Sequence, residues 1–452
     1  METLNVKVSR KNPELIAPAR PTPHEFKLLS DIDDQEGLRV QIPVIQFYQS
    51  QRSPYGEGKD PVEVIRDAIA KALVFYYPFA GRLRERADRK LVVECTGEGI
   101  LFIEADADVT LKQFGDPLLP PFPCLEELLY DVPNSAGLLH CPLLLIQVTR
   151  LRCGGFIFAL RLNHTMSDAV GLVQFMSAAG ELARGADIPS IPPIWKRHLL
   201  NARNPPCVTC THHEYDEVQD TKGTLIPLDD MVRRSFFFGI AELAAIRSRL
   251  PLYLQHYSTF ELLTACLWRC NTIAMSPDPS EEIRILFVVN SRRRFNPPIP
   301  DGYYGNALAF ALAISTAGDL SRNPLHYAAE LVKKAKSNVT EEHMKSIADL
   351  MVIKGRPNLT VVRTYIVSDM RHAGFEEVDF GWGKPAYGGP AMGDVSAIPG
   401  VVSYCIPFKN NKGENGIVVP VSLPGNSMDV FVKELEGMLK DSATGVFITS
   451  AL

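Results

Sequence analysis

At 452 residues with a formal net charge of −5, the chain is long enough for two or three domains and lacks the basic surface that general nucleic-acid or anionic-membrane binders rely on. Its 46% apolar and 22% charged residues are those of an ordinary soluble globular protein. Nine cysteines, an odd number set mostly among apolar neighbours, fit a reduced compartment rather than a disulfide framework.

In chain order, the opening "METLNVKVSRKNPEL" has no apolar core of a secretory signal. "RVQIPVIQFYQ" (39–49) reads as a strand, and "PVEVIRDAIAKALVFYYPFAG" (61–81) has helical spacing at Val64, Ile65, Ala68, Ile69 and Leu73. "RKLVVECTGEGILFIEADAD" (89–108) predicts two short β runs around a glycine-containing turn. The apolar stretch "GLLHCPLLLIQV" (137–148) is too short to span a bilayer. It leads into "PLLLIQVTRLRCGGFIFALRL" (142–162), a hairpin bent at Gly154-Gly155. Helical spacing returns after Asp168 and ends near Gly185.

From about Ile188 to Asp230 the periodicity dissolves into Pro, Asn, Thr and charge, as in a crossover between domains. Beyond it, "STFELLTACLWRCNTIA" (258–274) predicts a helix with Ser258 or Thr259 as N-cap and Glu261 near the capping-box position. "IRILFVVNSR" (283–292), "TVVRTYIVSDM" (360–370) and "VVSYCIPFKN" (401–410) read as strands. Residues 326–352 read as helix in two pieces, and 427–441 as a closing amphipathic helix. The balance is an α/β chain of two similar halves with a cleft between them, divided as 1–187, crossover 188–230, and 231–452.

Four local patterns bear on chemistry. With ten histidines in the chain, an aspartate four positions on is expected by accident about 0.6 times at average composition, so spacing alone decides nothing. Two matches occur, His164 to Asp168 and His212 to Asp216. Context separates them, because His164 ends a strand and precedes a helix, whereas His212 lies in the crossover. A histidine so placed either accepts a proton in catalysis or serves as a local polar contact. "CVTCTHH" (207–213) looks like a zinc site, but its four residues lie too close together in sequence to close a tetrahedron. "DFGWG" (379–383) begins like the kinase DFG, yet no Gly-rich loop or H-R-D accompanies it, and locally it reads as a tight turn anchored by Trp382. "NSRRRFNPP" (290–298) ends a strand with three arginines, and one turned inward needs a carboxylate partner. No G-x-S-x-G elbow is present.

Taken together and in this order, "HTMSD" (164–168) and "DFGWG" (379–383) resemble the paired motifs of the plant BAHD acyltransferases, which move acyl groups from coenzyme A thioesters. "YYGN" (303–306) is similar to that family's Y-F-G-N, with one aromatic exchanged, and "VNSR" (289–292) to its strand-end arginine motif. The likeness covers essentially the whole chain. Residues 27–48, 121–137 and 151–169 further resemble the members that benzoylate benzyl alcohol and the related fruit alcohol acyltransferases.

The resemblance implies two chloramphenicol-acetyltransferase-like domains with a channel through their interface. It makes His164 the general base and gives Asp379 a catalytic label. It also implies that Asp168 turns away from the imidazole to pair with Arg292, and that Trp382 and "DFGWG" brace the C-terminal half near the coenzyme A side. Ser258 and Thr259 are candidate coenzyme A contacts, or simply caps. No permanently bound cofactor or metal is implied. The expected cosubstrates are an acyl-CoA, benzoyl-CoA foremost, and a small alcohol such as benzyl alcohol, used by a monomer without a membrane span. Acetyl or short-acyl transfer to aliphatic alcohols is the enzymic alternative, and a non-catalytic ligand-binding relative the remote one. The terminal Ser-Ala-Leu resembles the S-K-L peroxisomal address without its basic residue, the other compartment being the cytoplasm.

Overall fold

Two mixed sheets, each backed by helices, organise the chain, and the alternating apolar runs found in the sequence supply most of their central strands. The computed structural model describes residues 6–50, 58–218, 231–393 and 400–440, so the Ser-Ala-Leu tail and its proposed address lie outside the described residues. The first sheet runs Val8–Arg10, Ile100–Ala107, Leu144–Leu151, Phe156–Asn163, Gln41–Tyr48, Tyr387–Pro390, with Glu14–Ile16 also paired to Ile100–Ala107. Its centre is the expected hairpin: Leu144–Leu151 pairs antiparallel with Phe156–Asn163, and Gly154 takes a φ of +83° at the bend. Five of the eight residues of Phe156–Asn163 form an unbroken buried run, as expected of a strand covered on both faces.

Helices Pro61–Phe75 and Ala169–Ala183 pack together against this sheet. The first starts at Asp60, whose carboxylate accepts from Val62 N at 3.2 Å, with Pro61 pre-set for the opening turn. The second starts at Asp168. The two β runs of 89–108 do not pair with each other. Leu91–Glu94 joins a small sheet with Phe26–Leu28 and Arg82–Glu85, while Ile100–Ala107 enters the large one.

The second sheet runs Met231–Phe238, Asn415–Pro424, Val402–Lys409, Thr364–Asp369, Glu282–Asn290, Leu308–Thr316. Helices Thr259–Met275, Leu325–Asn338 and Gly425–Leu439 contribute apolar faces to its core. Ser258 caps the first of these in a reciprocal box with Glu261. Leu308–Thr316, Asn415–Pro424 and Met231–Phe238 are strands the sequence reading did not single out. Among the described residues, no helix is long and apolar enough to cross a membrane.

One boundary needs correction. The division at 231 placed "DFGWG" with the C-terminal half, but after Thr364–Asp369 the chain leaves the second sheet and crosses back. Tyr387–Pro390 then pairs antiparallel with Gln41–Tyr48 as the last strand of the first sheet. Phe375, Val378, Phe380 and Trp382 are buried in the N-terminal core. The reason is mutual satisfaction. Gln46 Nε2 donates to Phe375 O at 2.7 Å and Tyr48 O–H to Val378 O at 2.9 Å, so the edge of the first sheet is covered by this segment.

Candidate active site

Strand Phe156–Asn163 ends where Asn163 turns its side chain back to accept from Thr165 N–H at 3.2 Å and Thr165 O–H at 2.7 Å, forcing His164–Met166 into a single 3₁₀ turn. Thr165, Met166, Ser167 and Asp168 are all buried, and His164 alone in the pentapeptide keeps partial access to solvent. Its backbone is pinned by His164 N–H to Val40 O at 2.8 Å. Burial drives the imidazole pKa below its ordinary value, and the neighbouring backbone acceptors and the Asp168 charge offset this only in part. The ring is therefore neutral at pH 7, the state a base requires.

Asp168 faces away from that ring. Its Oδ1 accepts Gly171 N–H at 3.0 Å as N-cap of helix Ala169–Ala183 and Arg292 Nη2 at 2.9 Å. Oδ2 accepts Arg292 Nη1 at 2.7 Å and Ala307 N–H at 3.0 Å. Burial works to raise this carboxyl, but the guanidinium and the two amides outweigh it and hold the pKa below the usual range. Arg292 also donates to Gly305 O at 2.8 Å, so one bidentate pair fastens the first half to the second.

The "YYGN" segment completes the cradle. Ser167 O–H donates to Tyr304 O at 2.6 Å, and Asn306 Nδ2 donates to His164 O at 2.8 Å and Thr165 O at 3.3 Å. Met166 O receives Arg197 Nη2 at 2.8 Å. All three carbonyls of the turn are thus held by side chains from elsewhere. Asp33, fully buried, binds these holders together: its Oδ1 accepts from Arg197 Nη1 at 2.6 Å, Asn306 N at 2.8 Å and Asn306 Nδ2 at 3.0 Å. The Arg197 guanidinium lies over Trp195, Tyr304 and Tyr303, 4.4, 5.2 and 5.5 Å from their centroids. It also occupies the space where a side chain at Gly305 would project, which explains the glycine there.

The sequence profile of a family described as "Transferase family" matches residues 6–438. The chain is 73% identical over 436 residues to a benzyl alcohol O-benzoyltransferase of Nicotiana tabacum, covering 96% of this chain and 94% of that one. It is 71% identical to the Petunia hybrida protein of the same name (98% and 97% covered) and 54% identical to alcohol acyltransferase 1 of Actinidia chinensis var. chinensis (97% and 95%). Among solved structures, vinorine synthase superposes with a TM-score of 0.72 at 21% identity, covering 96% of this chain and 98% of that one, which supports the two-domain fold. The chain belongs to the BAHD acyltransferases.

In this acyltransferase the remaining residues singled out from sequence are not gathered at His164. Asp379, expected to carry a catalytic label, closes its own turn: Oδ1 accepts Gly381 N–H at 2.7 Å and Gly383 N–H at 2.9 Å. Its carbonyl abuts Gly180 and accepts from Arg184, near the C-terminal end of helix Ala169–Ala183. At about 1.5 Å of rise per residue, Gly180 is roughly 18 Å along the helix from Asp168. Asp379 thus has no direct contact with the imidazole. Trp382 packs edge-on to Phe156 at 5.4 Å, bracing the N-terminal strand that ends in the histidine and not the C-terminal half.

Ser258 caps helix Thr259–Met275 and Thr259 is its first residue, with Lys336 Nζ 3.1 Å from Glu261 and Lys333 Nζ 3.0 Å from His256 beside them. "CVTCTHH" is not assembled around a common point. His213 pairs with Asp216 at 2.7 Å, while His212 joins Glu214 and His343, ligand-type atoms all within 4.8 Å. Hydrogen bonding accounts for His212 there. Ser346 Oγ accepts Thr209 N and Cys210 N, both at 3.0 Å, so its proton is free for His212 Nε2 at 2.8 Å, leaving Nδ1–H to donate to Glu214 Oε1 at 3.0 Å.

Sequence reasoning missed Asp33 and Arg197, and gave no role to Asn306. Asp33 sits in "KLLSDIDDQEG" (27–37) and Arg197 in the aperiodic crossover. The available signal was chemical: a charged residue in an apolar setting needs a partner, but nothing local in sequence says where that partner is.

Proposed function

We propose that the protein transfers a benzoyl group from benzoyl-CoA to benzyl alcohol, releasing benzyl benzoate and free coenzyme A, with His164 as general base in a ternary complex. The observation that carries the mechanism is a partly accessible imidazole fixed on the seam between the halves by a turn whose other members are buried, where burial lowers its pKa and favours the neutral ring. The choice of substrates is supported by the two relatives above 70% identity that carry that activity in their names.

His164 Nε2 takes the hydroxyl proton as the alcohol oxygen attacks the thioester carbonyl carbon. The tetrahedral intermediate collapses by breaking the C–S bond, and the imidazolium returns the proton to the departing thiolate. No acyl-enzyme is required. Asp168 and Arg292 hold the geometry, and Asp379 and Trp382 act only through packing. Coenzyme A phosphates are assigned to the end of the second half where Ser258 and Thr259 open a helix beside Lys333, since anions favour helix N-termini and basic groups.

A panel of acyl-CoAs crossed with alcohols, read by free-thiol release, tests the reading. The highest kcat/KM is expected for benzoyl-CoA with benzyl alcohol. Preference for acetyl-CoA with aliphatic alcohols would favour the second reading, which the 54% identical alcohol acyltransferases support. Absence of thiol release with every pair would remove both. A fluorescent fusion with and without Ser-Ala-Leu tests the peroxisomal address.

A further inference from the structure

Among the residues hydrogen-bonded to the His164 backbone, one is apolar and exposed. Gln41 pairs with Asn163 at the end of the antiparallel ladder between Gln41–Tyr48 and Phe156–Asn163, so Val40 stands one register step further on, opposite His164. His164 N–H donates to Val40 O at 2.8 Å across this step, and Asn163 is still extended there, with φ −66° and ψ 115°. Residues opposite one another in an antiparallel pair carry their side chains on the same face, with Cβ atoms about 4.5–5.5 Å apart. The other backbone partners of His164 are Ser167 and Asn306, both fully buried, whereas Val40 is 45% exposed. Two residues before it, Leu38 is buried in a cluster with Leu286, Leu308 and Phe310 of the second sheet, which puts Val40 on the seam. The segment cannot retreat, because both flanking side chains are fastened. Arg39 donates to Asp34 at 2.8 Å and Glu85 at 2.6 Å, and Gln41 Nε2 donates to Ser135 O at 2.7 Å.

We propose that Val40 is a specificity-determining residue for the alcohol: it forms the wall against which the carbinol carbon packs, admitting primary alcohols and excluding those branched at that carbon. This role rests on His164 being the general base. The base must lie within hydrogen-bond reach of the hydroxyl, about 2.6–3.2 Å, so the carbinol carbon is one bond from an atom already touching the imidazole. An exposed side chain opposite that residue therefore meets the substituents of the carbinol carbon first. The rest of the turn does not compete for this contact, since Asp168 is engaged by Arg292 and Thr165, Met166 and Ser167 are buried. A CH2 group offers the wall two hydrogens. A methyl branch needs room that a β-branched side chain with restricted χ1, on an anchored segment, does not yield. The acyl group approaches from elsewhere, because coenzyme A is assigned to the helix end at Ser258 in the second half, whereas Val40 leads into strand Gln41–Tyr48 of the first sheet.

Benzyl alcohol and 1-phenylethanol differ by one methyl on the carbinol carbon, and comparing them tests the proposal with benzoyl-CoA as donor and free-thiol release as readout. Wild type is expected to favour benzyl alcohol by at least about 10-fold in kcat/KM, the usual scale for one misplaced carbon. Val40→Ala should shrink that ratio by about 10-fold, with KM for benzoyl-CoA within about twofold. Val40→Ile should widen it. Val40→Thr, with nearly the same shape and a hydroxyl, should keep the wild-type ratio, which separates the shape of the wall from its polarity. An unchanged ratio in both Val40→Ala and Val40→Ile, in protein that still releases thiol with benzyl alcohol, would overturn the proposal. So would a shift in preference between benzoyl-CoA and acetyl-CoA with the alcohol ratio unmoved, which would set Val40 against the acyl group. If wild type releases no thiol with any alcohol, the functional reading itself fails and takes the role of Val40 with it.

Discussion

Two aspartate-anchored turns contact opposite ends of helix Ala169–Ala183, and only one of them presents a reactive group. At the N-terminal end, Asp168 caps the helix, takes Arg292 across the seam and leaves His164 half open. At the other end, Asp379 folds its carboxylate onto the amides of Gly381 and Gly383, and the flanking Phe380 and Trp382 are buried in the N-terminal core. Both motifs are short and rich in turn-forming residues. The difference lies in what each turn is tied to. The first joins the two halves of the molecule, so the group it leaves partly exposed sits on the seam between them. The second closes one sheet on itself.

The sharpest way to break this contrast is at the histidine. His164→Ala should lose at least about 100-fold in kcat while acyl-CoA binding, measured by calorimetry, persists. Near-normal turnover would take the imidazole out of the chemistry. Asp168→Asn removes the charge facing a partly buried Arg292, for which a loss of about 3–5 kcal/mol in unfolding free energy is the usual scale for breaking a buried pair. Its crystal structure should show the Arg292 contact displaced and the turn shifted. A collapse of activity with the turn unmoved would point to direct electrostatic help instead.

The pH dependence sharpens the contrast further. His164 has its pKa lowered by burial, so kcat/KM should fall on the acid side with a midpoint below the ordinary value of about 6.5. The same shift makes the unfolded chain bind more protons between the lowered value and about 6.5. Stability from this group is therefore fully present above that window and declines as pH falls through it, a trend that His164→Gln should flatten in denaturant titrations. An acid limb above 6.5 would mean that a different group titrates.

Asp379→Ala should act on stability alone, by about 1–3 kcal/mol for two amides left without their acceptor, with kcat per folded molecule within about threefold. A large fall in kcat in well-folded protein would restore the catalytic label. The smallest effect belongs to Ser258→Ala, about 1 kcal/mol from the lost cap, with a higher KM for acyl-CoA if coenzyme A also uses that helix end.

Much of this was legible from residues alone. The hairpin at 142–162, the helix after Asp168, its counterpart after Ser258 and the two-piece helix at 326–352 follow local periodicity and capping, which depend on neighbours a few positions away. The context argument that chose His164 over His212 was local too, and His212 is found hydrogen-bonded to Glu214 and Ser346. Strand partners were not legible: 89–108 reads as two short β runs around a glycine-containing turn, yet the two runs enter different sheets. Periodicity tells which face of a strand is apolar and not which strand will cover it.

What the sequence by itself determined is an α/β chain with a strand-end histidine and a family likeness strong enough to specify coenzyme A chemistry. Tertiary structure alone decided that "DFGWG" belongs to the first core and that Arg197, from an aperiodic crossover, lies buried against Asp33. It also decided that Asn306 aims its amide at the catalytic turn. The physical reason is range. Caps and amphipathic faces are set by neighbours along the chain, whereas a buried charge or amide finds its partner only once distant segments have packed and water is excluded.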